Sequence, residues 1–198
     1  MTFDKVCAYL QSREIFLSPD DIRMISTVTT HRIIPKHTIV MHQGKKVNRL
    51  FFLNQGIVRL FRVYEGNDYT LGLVSLNDFI STPLFLLNGA PSNCGLETLT
   101  DIDVLEWSQA DVMAIKQHVD KAYAIEQAIM HRLLIWLQDM QIDAVCLTAE
   151  ERYQKILMQQ PQIIQTIPLK YIASFLGIHQ DSLSRIRKQV NQRYGLSS

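Results

Sequence analysis

Five side chains between residues 180 and 188 carry groups that can read the edges of base pairs. A guanidinium can bind O6 and N7 of guanine, an amide can pair with adenine or a phosphate, and a carboxylate can accept a hydrogen bond from the cytosine amine. The sequence supplies these groups, with a hydroxyl and an ammonium, as Gln180, Asp181, Ser184, Arg185 and Lys188. On a helix these five positions share one outward face.

Two short helices joined by a tight turn would hold this face in place. The first has an apolar stripe at the i, i+3, i+4 and i+7 positions, formed by Leu169, Ile172, Ala173 and Leu176. Pro168 suits its start, and Gly177 suits a left-handed residue at its end. The second helix would bury Leu183, Ile186 and Val190. The pattern predicts a helix-turn-helix, and the alternative is an ordinary helical hairpin with a solvated charged face.

The C-terminal part of the chain is basic, although the whole chain is nearly neutral. The formal net charge is +1, and residues 161–198 contain five cations and one anion, a net +4, which leaves −3 for residues 1–160. A basic module on a mildly acidic body is the distribution expected when one end of a protein meets phosphate. Within this module we expect Lys170, Arg187 and Lys188 at phosphates.

The segment LGIHQDSLSRIRK, residues 176–188, resembles the DNA-reading segment of the Crp/Fnr regulators. Arg185 matches the family pattern, while Asp181 stands where the family usually has Glu and Ser182 where it has Thr. A second segment, HQGKKVNRLFFLNQGIVRLFRVY, is similar to the family's β-roll, with turn glycines at Gly44 and Gly56. The resemblance implies an α+β chain with an N-terminal cyclic-nucleotide-binding-like β-roll (an antiparallel jelly-roll), a long dimerisation helix and a C-terminal winged helix-turn-helix.

The pattern along the chain agrees with that order of elements. Helical faces are predicted in residues 3–14 and from residue 18 onward, and short β-rich runs follow at 31–40, 49–53, 57–64, 69–74 and 103–107. We therefore divide the chain into residues 1–108, a long helix over 109–145, and a DNA-binding domain over 148–198. Thr148 and Glu151 form a capping box at the start of that last domain, with little room after Tyr194 for a long wing.

Residues 109–145 carry two apolar stripes. Counting in alternating steps of three and four, one seam contains Val119, Ala122, Glu126, Ile129, Leu133, Trp136, Met140 and Asp143. Such a seam usually pairs two helices, and the resemblance implies that this helix forms the dimer interface. The second stripe, Tyr123, Met130, Leu134 and Leu137, is expected against the chain's own β-domain. The alternative is a single helix buried within one monomer.

The resemblance also implies a cassette for a cyclic nucleotide, and its two charged positions are altered. The family places a glutamate and, about ten residues later, an arginine where this sequence has Thr82 and Ser92. Hydroxyls do not replace a bidentate guanidinium, so cyclic AMP is not expected as the effector. A neutral pocket remains, which either holds another small molecule or is filled by the protein's own side chains. Its predicted members are Phe79, Ser81, Thr82, Pro83, Leu84, Ser92 and Asn93.

Composition excludes several other classes of protein. Hydrophobic residues make up 47% of the 198, as in a soluble globular protein, and no run approaches the length of a membrane span or a leader. We expect a cytoplasmic protein, and the resemblance implies a bacterial one. Three cysteines at unrelated spacings, Cys7, Cys94 and Cys146, predict reduced and mostly buried thiols. The histidines are scattered, and no phosphate loop or nucleophile elbow is present, so we expect no cofactor, no metal and no enzymatic activity.

The function predicted from these observations is that of a homodimeric, sequence-specific transcription regulator that does not respond to cyclic AMP. The expected partners are double-stranded DNA with a near-palindromic site, a second copy of the chain and, through the resemblance, RNA polymerase. Its small-molecule effector is unknown or absent. The alternative is a small-molecule-sensing or protein-interaction module whose helix-turn-helix no longer reads specific DNA.

Overall fold

The computed structural model describes residues 3–75, 77–81, 86 and 88–194. Of these, Tyr194 is described by its backbone alone. Two short helices come first, α1 (Asp4–Gln11) and α2 (Pro19–Val28). A capping box begins α2, because the Asp21 N–H donates to the Ser18 hydroxyl at 3.1 Å and the Ser18 N–H donates to the Asp21 carboxylate at 3.0 Å. These bonds satisfy amides that the first helical turn leaves without partners.

The described residues contain eight strands in two four-stranded sheets. The strands are β1 (Thr30–Ile34), β2 (Ile39–Met41), β3 (Arg49–Gln55), β4 (Ile57–Tyr64), β5 (Asn67–Ser75), β6 (Asp78–Ile80), β7 (Gly95–Thr98) and β8 (Ile102–Ser108). The first sheet has the order β1-β8-β3-β6 and the second the order β2-β7-β4-β5, with antiparallel neighbours throughout. The predicted antiparallel β-roll is confirmed.

The hairpin between β4 and β5 leaves β5 at the edge of the second sheet. Glu65 and Gly66 close it with φ angles of 50° and 77°, and the register pairs Tyr64 with Asn67. Two positive φ angles are what a two-residue loop of type I′ requires. Because β5 pairs with β4 alone, its outer side has backbone groups that another element must satisfy or that water must reach.

The core lies between the two sheets and extends under the N-terminal helices. Leu53, Val58 and Val104 from three strands are fully buried between the sheets. Phe52 and Trp107 point to the opposite side and pack against α1 and α2. The β-roll therefore has apolar contacts on both faces of its first sheet, which accounts for strands with few exposed positions such as β3.

The C-terminal half of the chain is helical. Its helices are α3 (Gln109–His118), α4 (Ala122–Cys146), α5 (Ala149–Gln159), α6 (Pro161–Thr166), α7 (Leu169–Leu176) and α8 (Gln180–Tyr194). The predicted capping box opens α5, with the Thr148 N–H donating to Glu151 at 2.8 Å. Residues 149–194 are described as helices and connecting turns, and residues 195–198, where a wing would begin, lie outside the described residues.

Two differences from the predicted elements have local causes. The helix predicted over 109–145 is interrupted at Val119, which is extended (φ −111°, ψ 118°) and 4% exposed. The interruption buries Val119 and Ala122 in the cluster that contains Val6 and Leu10 of α1. The strand predicted over 31–40 is split at Pro35, which has no N–H for a ladder bond, so that β1 ends at Ile34 and β2 begins at Ile39. The short strands β6 and β7 were not predicted.

The three cysteines differ in their exposure to solvent. Cys94 is buried and Cys7 is half-buried, but Cys146 is exposed, so the prediction of mostly buried thiols was wrong for that residue. None of the three is in a disulfide. Among the helices described, none is both long and apolar enough to cross a bilayer.

Candidate nucleic-acid interface

The turn between α7 and α8 is built as the sequence predicts. Gly177 adopts a left-handed conformation with φ 68°, and the Ile178 N–H donates to the Ala173 carbonyl at 3.0 Å. Bonds of this kind satisfy the last carbonyls of a helix. A third contact was not predicted: the Arg152 guanidinium of α5 donates to the Leu176 carbonyl at 2.7 Å. The end of α7 is therefore fixed both by its own turn and by a neighbouring helix.

Burial of the inner faces determines which side of α8 is presented to solvent. Ile172 and Leu176 of α7 and Leu183 and Val190 of α8 are all 0% exposed. Since these residues occupy one side of each helix, the opposite side of α8 must face outward. All five predicted reading residues are exposed on that side: Gln180, Asp181, Ser184, Arg185 and Lys188.

The reading face keeps its cations available. Within the described part of the chain, neither Arg185 nor Lys188 has an ion-pair partner. The Ser184 hydroxyl donates to the Gln180 carbonyl at 3.0 Å, so in this rotamer it offers lone pairs rather than a proton to a ligand. The face can therefore donate from Arg185, Lys188 and the Gln180 amide, and accept at Ser184 and Asp181.

The other two residues predicted to contact phosphates, Lys170 and Arg187, have neighbours within the protein. The Lys170 ammonium lies 4.6 Å from the centroid of the Tyr171 ring, a cation–π contact on the exposed side of α7. Arg187 is half-buried beside Tyr153, whose pKa is raised by burial and partly lowered again by the Arg187 charge. Lys188 is thus the best placed of the three for a phosphate, and Arg187 contributes to packing within the domain as well.

The two stripes of α4 lie on sides of the helix other than those predicted. Val119 and Ala122 of the predicted seam are buried in the chain's own core, and Glu126 pairs with Lys116 at 2.8 Å. The remaining seam residues, Ile129, Leu133, Trp136 and Met140, are half-buried and line a cleft against the β-roll. The stripe expected against the β-domain lies mostly outward. Tyr123, Leu134 and Leu137 are 71%, 60% and 48% exposed, and Met130 is half-buried.

The inward position of the seam follows from a contact between Trp136 and Gly72 that was not predicted. A Cβ atom added to Gly72 in β5 would lie 2.6 Å from the Trp136 indole. An isolated glycine within a strand often marks such a close approach, and this is the signal that could have located the contact. The indole therefore rests directly on the backbone of the second sheet and orients α4 on the β-roll.

The predicted neutral pocket is only partly assembled. Phe79 belongs to an aromatic cluster with Tyr9, Phe52 and Trp107, and the Ser81 hydroxyl donates to the Arg49 carbonyl at 2.9 Å. Ser92 is 1% exposed, and its hydroxyl donates to the Cys94 carbonyl at 2.8 Å. Asn93 is exposed, and Thr82, Pro83 and Leu84 lie outside the described residues.

A cleft of about 680 Å³ lies between the second sheet, α4 and the helix-turn-helix domain. Leu73, Trp136 and Phe175 supply apolar walls, and Phe79 and Ser81 reach its edge. Of its cations, Arg132 and Lys155 are paired with Asp78 at 3.1 Å and with Asp143 at 2.5 Å, and Arg152 donates to the Leu176 carbonyl. Much of its surface is therefore apolar or carries paired charges. No group of metal-binding side chains is found in the part of the chain that the structure describes.

Comparisons with known proteins agree with this architecture. Residues 31–118 match the family model of the cyclic nucleotide-binding domain. FixK2 from Bradyrhizobium japonicum is 15% identical, with a TM-score of 0.72 over 84% of this chain and 86% of that chain. The c-di-GMP-responsive global regulator CLP of Xanthomonas campestris is 20% identical, with a TM-score of 0.67 over 90% and 94% of the two chains.

A third solved structure, assigned as a Crp/Fnr-family transcriptional regulator of Eubacterium rectale, is 16% identical, with a TM-score of 0.70 over 96% of this chain and 88% of that one. No curated protein sequence matches this chain. At these identities the solved structures establish a shared fold over both the β-roll and the C-terminal helices.

The contact between Gly72 and Trp136 can be tested with a double-mutant cycle. Gly72→Ala should destabilise the protein by about 1–3 kcal/mol, because the added methyl overpacks against the indole. In a Trp136→Ala background the same change should cost less than about 0.5 kcal/mol. Chemical denaturation gives both values. A Met158→Ala background, at a position 71% exposed on α5, is the control and should leave the full cost. An equal cost in all three backgrounds would refute the contact.

Proposed function

We propose that this chain, which carries a cyclic nucleotide-binding domain at residues 31–118 and shares the fold of the Crp/Fnr regulators, regulates transcription by binding specific DNA as a homodimer. The observation that carries the proposal is the outward face of α8, where Arg185 and Lys188 are exposed and have no ion-pair partner among the described residues. On the inner side of the same helix Leu183 and Val190 are fully buried and Ile186 is half-buried, which fixes the side that faces outward.

Each outward residue has a proposed role that follows from its chemistry. Arg185 lies one and a half turns into α8 and has the forked donors that bind guanine O6 and N7. Gln180 is a second reader, Ser184 accepts from a base amine, and Asp181 accepts from cytosine or orients Arg185. Lys188, nearer the end of the face, holds a phosphate and adds affinity without sequence preference.

The exposed stripe of α4 supports the homodimer. Tyr123, Leu134, Leu137 and Val145 leave an apolar surface along a helix of 25 residues, which is about 37 Å long. A second copy packed in parallel on this stripe by a two-fold axis would bury it and place the two α8 helices on the same side of the assembly. Two recognition helices about 34 Å apart enter successive major grooves, so the preferred site is a near-palindrome.

The altered cassette supports a regulator that does not respond to cyclic AMP. At position 92 the family's arginine is replaced by a serine whose hydroxyl is engaged with the Cys94 carbonyl. The guanidinium that would neutralise a cyclic phosphate is thus missing at this position. Among the described cations that line the cleft, Arg132 and Lys155 are paired with carboxylates, and Arg152 donates to the Leu176 carbonyl of α7. The β-roll is then a structural platform or a site for a neutral effector.

Substitution of Arg185 tests the reading face. Arg185→Ala should lose about 1–3 kcal/mol at one base pair of each half-site and relax the preference there, because one bidentate contact is removed. Lys188→Ala should instead weaken binding to all duplexes alike and reduce the salt dependence. Gel shifts against a panel of single-base variants measure both effects. An Arg185→Ala protein that keeps the parent's full sequence preference would show that α8 does not read the bases.

Substitution of Leu134 tests the dimer. Leu134→Glu should give the mass of a monomer by light scattering, because two carboxylates would face each other across an apolar seam. Met158→Glu is the matched control, since Met158 is 71% exposed on α5 and its substitution should leave the mass of the dimer unchanged. If Leu134→Glu also keeps the parent's mass, the copies associate through another surface.

Calorimetry tests the altered cassette. Cyclic AMP and cyclic GMP should bind no more tightly than about millimolar, because the charge that anchors their phosphate is absent. A dissociation constant in the low micromolar range for either nucleotide would mean that another group of this protein neutralises the phosphate.

A further inference from the structure

The helix-turn-helix domain is docked on the β-roll through the free edge of β5. The Thr70 N–H on that edge donates to the Ser174 hydroxyl of α7 at 2.8 Å. The same hydroxyl lies 3.5 Å from the Asp68 carbonyl. An unpaired edge amide is ordinarily a liability, and here the hydroxyl of α7 satisfies it. Thr70 is 4% exposed, so this bond is shielded from water.

Beside this bond, Arg59 of β4 joins the two domains. Its side chain is 5% exposed, and it donates twice to Asp68 at 2.7 Å and once to Glu97 at 2.6 Å. Its guanidinium lies 4.4 Å from the centroid of the Tyr171 ring of α7. Two carboxylates compensate the buried charge, and the ring of the other domain covers its open face.

Apolar and polar contacts extend the docking beyond α7. Ile57, Leu73 and Leu99 of the β-roll belong to the same buried cluster as Ile172 and Leu183 of the helix-turn-helix. The Ser75 hydroxyl, at the end of β5, donates to Gln160 at 2.8 Å. The helix-turn-helix domain therefore contacts β5 at both Thr70 and Ser75. These contacts hold its orientation across the connection at Leu147, which is extended between α4 and α5.

We infer that Ser174 and Tyr171 are positioning residues that set the distance between the two recognition helices of the dimer, and hence the spacer length between half-sites that the protein accepts. This inference rests on the proposed function. The reading residues of α8 make no contact with β5 among the contacts described, so the docking does not choose bases. The docking fixes the position of each α8 relative to its own β-roll. In the proposed dimer, the paired α4 helices fix the two β-rolls relative to each other.

Ser174→Ala is the direct test, with Thr166→Ala as the matched control that removes a hydroxyl from an exposed position of the same domain. Affinity is measured for duplexes with the spacer that the parent prefers and with spacers one base pair longer or shorter. Loss of one hydrogen bond in each subunit should reduce the preference for the best spacer by on the order of tenfold, with the base preference within each half-site unchanged. Ser174→Thr, which keeps the acceptor, and Thr166→Ala should behave as the parent.

Amide hydrogen exchange provides a second readout that does not depend on DNA. The Thr70 amide should exchange faster in Ser174→Ala than in the parent and in Thr166→Ala, because its acceptor is gone. An unchanged Thr70 rate, or an unchanged spacer preference in a variant that still binds DNA, would overturn the inference while leaving the proposed function intact. A parent protein that selects no DNA sequence at all would contradict the proposed function and this inference together.

Discussion

The burial of one apolar face on each of α7 and α8 is the constraint on which the functional surface depends. Ile172, Leu176, Leu183 and Val190 are excluded from water, so the turn at Gly177 can close in one way. Their burial leaves the five predicted reading residues on the exposed side of α8, and leaves α7 with a second side that packs on β5. The residues proposed to read DNA and the contacts that dock the domain are thus on two different helices that share one core.

Residues 31–118, which match the cyclic nucleotide-binding domain, make contacts with the rest of the chain at several points. Ser92 is turned into its own loop, and the Trp136 indole lies over Gly72, where a larger residue in β5 would not fit. The second sheet is therefore partly covered by α4, beside the cleft of about 680 Å³. Arg59, the most deeply buried cation on this side, is neutralised by Asp68 and Glu97 and faces the helix-turn-helix. The β-roll thus contacts α4 through Gly72 and α7 through Arg59.

Local signals in the sequence were sufficient for the helix-turn-helix and for most strands. Gly177 and the capping pair Thr148 and Glu151 act on neighbouring residues, so their effect can be read without the tertiary structure. The faces of α4 could not be assigned in this way, because both stripes are apolar and a contact with Gly72, 64 residues earlier, decides between them. The strand β6 has three residues, too few for a periodic pattern, and the bond from Thr70 to Ser174 joins positions 104 residues apart.

The proposed function depends most directly on whether the intact protein selects a DNA sequence. Repeated rounds of gel-shift selection from random duplexes, in the presence of excess nonspecific DNA, measure this without any assumption about the operator. The account predicts enrichment of a near-palindrome whose half-sites are centred about one helical turn apart and each contain a fixed guanine. Recovery of unenriched sequences, or of a single asymmetric half-site, would contradict it.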